Sequence, residues 1–134
     1  MRAQGSARAS NRPNIDEDAR EAMSTAVSKT IDDLKDRGGL KGVDVANITK
    51  VSKATVTRWL AGTHSPQPKT QLVLSDLRYV VDKLSEFYTP DEIRTWLNAR
   101  NDLLDGRRAI DLIQNGEAET VLEAIERLDD MSYL

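Results

Sequence analysis

Hydrophobic side chains recur along this chain every three or four residues, and nowhere do they alternate convincingly with period two. From Asp16 the spacing Ala19, Met23, Ala26, Thr30 and Leu34, with Val27 and Ile31 alongside, predicts an amphipathic helix. Asp16, Glu17 and Asp18 suit its positive N-terminal end. Gly38-Gly39 closes it, because glycine accepts left-handed backbone. Residues 43–49 read as a short helix and 53–61 as another, with Ser52 as N-cap and Gly62 just past the end. THSPQP then forms a loop, since its two prolines forbid regular structure. Residues 69–88 predict a long helix with a stripe of Leu72, Leu77, Val80, Val81, Leu84 and Tyr88, widened at its start by Val73 and Leu74. In Thr89-Pro90-Asp91-Glu92, Thr89 caps a new helix, Pro90 fits its first position and Glu92 completes a capping box. That helix continues through Ile93, Trp96 and Leu97. After a turn around Gly106, residues 110–115 form a short helix stopped by Gly116. Residues 117–128 form the last, with Val121, Leu122, Ile125 and Leu128 on one face. The predicted fold is all-α.

The chain of 134 residues fits one ordinary domain or two small units sharing a core. Residues 1–14 carry three arginines and no periodicity, and read as a disordered basic arm. Residues 15–68 then make an N-terminal unit, 69–88 a connecting helix, and 89–134 a C-terminal helical unit. The last is close to the roughly 40-residue limit below which domains rarely fold unaided. Its helices must therefore pack on the connecting helix, on a second copy or on a partner.

Composition narrows the chemistry. Aromatics are 4% of the chain, so the core must be Leu, Ile, Val and Ala. With no Cys and one His, neither a disulfide framework, a thiolate or imidazole metal site, nor a cysteine nucleophile is expected. The Asp and Glu residues fall on polar helix positions, where a solvated face accounts for them. Asp102, Asp105 and Asp111 lack the dense spacing and turn glycine of a calcium loop. No cofactor and no enzymatic activity are expected. No apolar run approaches the roughly 20 residues of a membrane helix, and MRAQGSARASNRPN lacks the apolar region of a secretory signal. A cytoplasmic protein without membrane association is the expectation.

Charge is segregated. The protein is at −3, yet no carboxylate stands between Asp44 and Asp76, a window holding Lys50, Lys53, Arg58 and Lys69. Residues 86–134 hold five bases against twelve acids. One half suits an anionic partner and the other a protein. Within the acid-free window the pattern Val45-Ala46, Val51-Ser52, Thr55-Val56-Thr57-Arg58-Trp59 specifies a helix-turn-helix. Ala46 is small because the second helix crosses close to it, Val51 plugs the turn, and Val56 and Trp59 anchor the second helix from behind. Ser52, Lys53, Ala54, Thr57 and Arg58 are left outward. In this motif the second helix enters the major groove. There Arg58 suits a guanine, and Ala54 or a threonine methyl suits thymine. Lys50, His64 and Lys69 are expected near phosphates. A homodimer on palindromic operator DNA is expected, since one short helix reads too few base pairs.

The window resembles the Xre/Cro-like helix-turn-helix family, whose pattern runs roughly LAxxxGVSxxTVSRW. Lys50 stands where that family usually has glycine, at a left-handed turn position that costs a side chain about 1–2 kcal/mol. The run WLNARNDLLDGRRAIDLIQNGEAETVLEAI resembles the toxin-binding domain of the Xre/MbcA/ParS antitoxins. The matching elements are Trp96-Leu97, Asn101, Leu104, Gly106-Arg107, Asp111-Leu112-Ile113, Gly116 and Val121-Leu122. Ala109 and Arg100 stand where family members usually or often have proline. The resemblance implies an antitoxin that inhibits a cognate RES-domain toxin, which degrades NAD⁺, and that represses its own operon. It implies toxin contacts at Gly106, Arg107, Arg108, Asp111, Met131, Ser132, Tyr133 and Leu134, and it brings the C-terminal end, Asp129 to Leu134, near the toxin's active-site entrance. A stand-alone repressor whose C-terminal part only oligomerises is the alternative, and a pure protein-interaction module is a third reading.

Overall fold

The computed structural model describes residues 17–131. The expectations for the arm at residues 1–14 and for Ser132, Tyr133 and Leu134 lie outside the described residues. Among the described residues seven α-helices follow one another: α1 (Arg2–Gly38, described from Glu17), α2 (Gly42–Thr49), α3 (Lys53–Ala61), α4 (Pro68–Leu84), α5 (Pro90–Asn98), α6 (Ala109–Gln114) and α7 (Ala118–Met131). The predicted all-α fold is what forms. Among the described residues, no helix is long and apolar enough to cross a membrane.

Helix α4 is the central element. Its Leu74, Leu77, Val80, Val81 and Leu84 are buried, and it packs against α1, α7, α6 and α2. Helix α1 crosses α4, α3 and α5, so residues from both halves of the chain form one continuous apolar cluster. No polar or charged residue is buried among the described residues, and no buried side-chain polar atom lacks a partner there.

Local chemistry explains most boundaries. Thr89 and Glu92 form the predicted capping box: the Thr89 N–H donates to Glu92 Oε1 at 2.9 Å and the Glu92 N–H to Thr89 Oγ1 at 3.4 Å. The four-residue restart at Thr89 also shortens α4. The residue before a proline must be extended, and Thr89 has φ −75° and ψ 165°. The chain therefore leaves the helix at Ser85 and turns through Phe87 and Tyr88, whose N–H groups both donate to the Leu84 carbonyl, rather than staying helical to Tyr88. Leu72 falls off the buried stripe and is 61% exposed.

Three other expectations are corrected. Helix α1 buries Val27, Ile31 and Leu34, while Ala19, Met23 and Ala26 face outward and Thr30 is half-buried. The inward face is the one turned toward α4 and α3, against which α1 packs. Between α5 and α6 the turn around Gly106 contains a small antiparallel ladder, β1 (Arg100–Asn101) with β2 (Arg107–Arg108), enclosing a single 3-10 turn at Asp102–Leu104. Helix α7 runs three residues past the predicted 117–128, to Met131, as its acidic end stays exposed.

The end of α1 meets the start of α5 at Gly39, which has φ +63°. A β-carbon there would lie 2.6 Å from the Pro90 carbonyl oxygen. Gly39→Ala adds this clash to the left-handed backbone cost, so it should lower unfolding free energy by more than about 2 kcal/mol. Urea denaturation of the wild-type and variant chains measures the difference.

Candidate nucleic-acid and partner interfaces

Helices α2 and α3 join through a tight turn, Lys50-Val51-Ser52. Val45, Ala46 and Ile48 of α2 are buried, and so are Val56 and Trp59 of α3, with Val51 half-buried between them. Ala46 is the small residue at the crossing, and its carbonyl accepts from the Val51 N–H at 3.0 Å. Lys50 takes the left-handed conformation expected of the family's glycine position, at φ 60° and ψ 41°. Ser52 caps α3, its Oγ accepting from the Thr55 N–H at 3.1 Å, and Gly62 closes it at φ 78°. Ser28 Oγ on α1 donates to the Leu60 carbonyl at 3.2 Å, tying the far end of α3 to the core.

With α3 fixed at both ends and from behind, Ser52, Lys53, Ala54, Thr57 and Arg58 are all exposed. The Thr57 hydroxyl is committed to the Lys53 carbonyl at 3.1 Å. Lys50 and Lys69 are exposed and line one cleft; His64 is exposed too, and its Nδ1 lies 3.3 Å from Thr63 Oγ1. Lys50, Lys53, Arg58 and Lys69 form no ion pair among the described residues, whereas Arg37, Arg78, Arg94 and Arg108 each do.

The two carboxylates that bound the acid-free window behave differently. Asp76 shares a cleft of about 420 Å³ with Lys50, Lys69, Leu72 and Gln114, and burial pushes its carboxyl up. Asp44 is bound by Arg94 of α5, which donates from Nε and Nη2 to its two oxygens at 3.2 Å each. Burial pushes the Asp44 carboxyl up, but the hydrogen bonds from Arg94 and the Lys41 N–H, with their charges, pull it further down and leave it below its ordinary value. The approach to α3 is thus clear of a free carboxylate at Asp44.

In the C-terminal half, the residues carried over from the resemblance fall on the β1–β2 ladder and the start of α6. Gly106 holds φ +80°, and its carbonyl accepts from Arg100 Nη1 at 3.2 Å. Arg107 Nε donates to the Leu104 carbonyl at 3.0 Å. Arg108 grips Asp111 through Nε at 2.9 Å and Nη2 at 2.8 Å, and these bonds hold the Asp111 carboxyl below the usual range. Met131 is exposed at the last turn of α7. An open cleft of about 570 Å³ beside them is lined by Tyr88, Asp91, Trp96, Arg100 and Asp102. Among the described residues no group of three or more His, Asp or Glu side chains is arranged to hold a metal ion.

Sequence patterning did not reveal the residues joining the two halves. Besides Arg94 and Asp44, the Gln114 amide donates to the Asn47 and Ile48 carbonyls at 3.1 and 2.9 Å. A polar side chain reaching across 66 residues leaves no periodic signal.

These features define an all-helical protein with an outward cationic helix and an acidic helical module. The chain belongs to the Xre/MbcA/ParS antitoxin family. Residues 77–130 match the family's antitoxin C-terminal toxin-binding domain. The mycobacterial cidal antitoxin MbcA of Mycobacterium tuberculosis is 33% identical over 102 residues, covering 76% of this chain and 90% of MbcA. The probable mycobacterial cidal antitoxin Rv3188 of the same organism is 37% identical over 107 residues, covering 80% and 90%. The crystal structure of the M. tuberculosis MbcT–MbcA toxin–antitoxin complex contains a chain that superposes with a TM-score of 0.70 at 32% identity, over 80% of this chain and 96% of that one.

The Asp44–Arg94 pair has a pH signature. Because the folded carboxyl lies below 3.8, its stabilisation is present above that value and is lost as pH falls through the folded value. Asp44→Asn should cost about 0.5–1 kcal/mol at pH 7, discounted for the exposed guanidinium. The gap between variant and wild type should narrow as pH falls below 3.8 and on through the lower folded value. Denaturation series run from pH 7 downward measure it.

Proposed function

We propose that this chain neutralises a cognate RES-domain toxin that degrades NAD⁺, and that it represses its own operon by binding operator DNA as a two-fold dimer in the cytoplasm. The toxin half of this reading is supported by the match of residues 77–130 to a toxin-binding domain and by likeness to an antitoxin crystallised with its toxin. Gly106, Arg107, Arg108, Asp111 and Met131, followed by Ser132, Tyr133 and Leu134, are the proposed toxin contacts.

One observation carries the DNA half: α3 is anchored by Val56 and Trp59 while Lys53 and Arg58 stay outward and unpaired among the described residues. Ser52, Lys53, Ala54, Thr57 and Arg58 are assigned to base edges and their flanking phosphates, and Lys50, His64 and Lys69 to the phosphate path.

Co-expression with the neighbouring gene tests the first half. The pair should co-purify, and the antitoxin should preserve both growth and cellular NAD⁺ that the toxin alone depletes. Arg58→Ala tests the second. It should weaken binding to the upstream duplex by about 1–3 kcal/mol, the size of one lost base contact, and leave toxin neutralisation intact. Retention of full sequence-specific binding by Arg58→Ala contradicts the assignment of α3.

A further inference from the structure

Helix α2 is gripped at both ends by side chains of the C-terminal half. Arg94 of α5 binds Asp44 near its start. Gln114, the last residue of α6, reaches its end. A helix leaves the carbonyls of its last turn without helical partners. Here the Ala46 carbonyl accepts from the Val51 N–H and the Asn47 carbonyl from the Lys50 N–H, at 3.0 and 3.3 Å. The Ile48 carbonyl accepts from Gln114 at 2.9 Å, and the Asn47 carbonyl takes a second bond from the same nitrogen at 3.1 Å. Both neighbours are carbonyl oxygens, so the amide nitrogen is the end that must face them.

These bonds end two residues before the most strained point of the unit. Lys50 is a non-glycine residue at φ 60°. Such a conformation persists only where its surroundings over-determine it. A relaxation of Lys50 toward the ordinary helical or extended region would change the direction in which the chain enters Ser52, and with it the axis of α3.

We propose that Gln114, a residue of the toxin-binding module, is a positioning residue for the DNA reader: it ties the carbonyls that precede Lys50 and so holds the left-handed turn that aims α3. This rests on the DNA-binding reading of α3. The α2–turn–α3 unit is then not self-sufficient, and its geometry is completed by a side chain 66 residues away.

The test uses the full chain and its own upstream duplex. Gln114→Met keeps the length and neutrality of the side chain and removes the donor; Gln114→Ala is the second variant should methionine fail to fold. Operator affinity should fall about fivefold, one net hydrogen bond's worth. The salt slope should stay the same, because no phosphate contact is lost. Lys50→Gly supplies the discriminating background, since glycine accepts a positive φ without strain. In that background Gln114→Met should cost about twofold or less. Amide exchange at residues 49–52 should rise in the single variant and return toward the background value in the pair. An equal loss of affinity in both backgrounds overturns the proposal, and so does unchanged affinity with unchanged exchange in the single variant. Absence of duplex binding by the wild-type chain overturns the reading of α3 instead, and exchange at the turn then separately reads Gln114's grip.

Discussion

Everything outward on α3 is fixed by what is buried behind it. Val56 and Trp59 are buried in the same apolar cluster as Val45, Ala46 and Ile48 of α2, and packing on α2 and α1 leaves the helix one orientation. A nine-residue helix is marginal in isolation. Its stability therefore comes from this packing, from Ser52 and Gly62 at its ends, and from the α1 bond to the Leu60 carbonyl. Lys53 and Arg58 face solvent because the anchors face inward. Rotating α3 to hide the cations would bury two charges without partners and expose a tryptophan, which is prohibitive.

The same economy of apolar surface joins the two halves. Helix α4 is both the support of the α2–turn–α3 unit and the platform for α6 and α7, so the chain has one core. The matched toxin-binding domain begins at residue 77, inside α4. A short acidic module needs such a platform to fold, and the platform brings it against α2. Polar side chains then settle on the seam: Arg94 takes Asp44, and Gln114 takes the last carbonyls of α2. On the proposed reading, one face of this compact object meets DNA and the other a toxin.

Legibility in the sequence followed locality. The bounds of α3 and the start of α5 were readable because Ser52, Gly62 and Thr89-Pro90-Asp91-Glu92 act within a turn of themselves. The left-handed turn at Lys50 was readable through the family pattern and is present despite the missing glycine. The rotation of α1 was not, because Ala19, Met23 and Ala26 obey the same period as Val27, Ile31 and Leu34, and only packing against α4 chooses between them. Two-residue strands are too short to show alternation, so β1 and β2 were invisible. Of the proposed contacts, Arg108 and Asp111 prove to bind each other, a local pair that the spacing alone does not separate from two free groups. Gln114 was unreadable because its partners are backbone atoms of a distant helix.

An acid-free cationic surface held outward on a rigid anchor should bind duplex DNA by displacing its counterions. The dependence of upstream-duplex affinity on salt reads that surface. With Lys50, Lys53, Arg58 and Lys69 displacing counterions in each half of a dimer, the logarithm of the binding constant should fall steeply and linearly with the logarithm of salt concentration, with a slope of several. A flat profile, or no tighter binding to any duplex as salt is lowered, would contradict it.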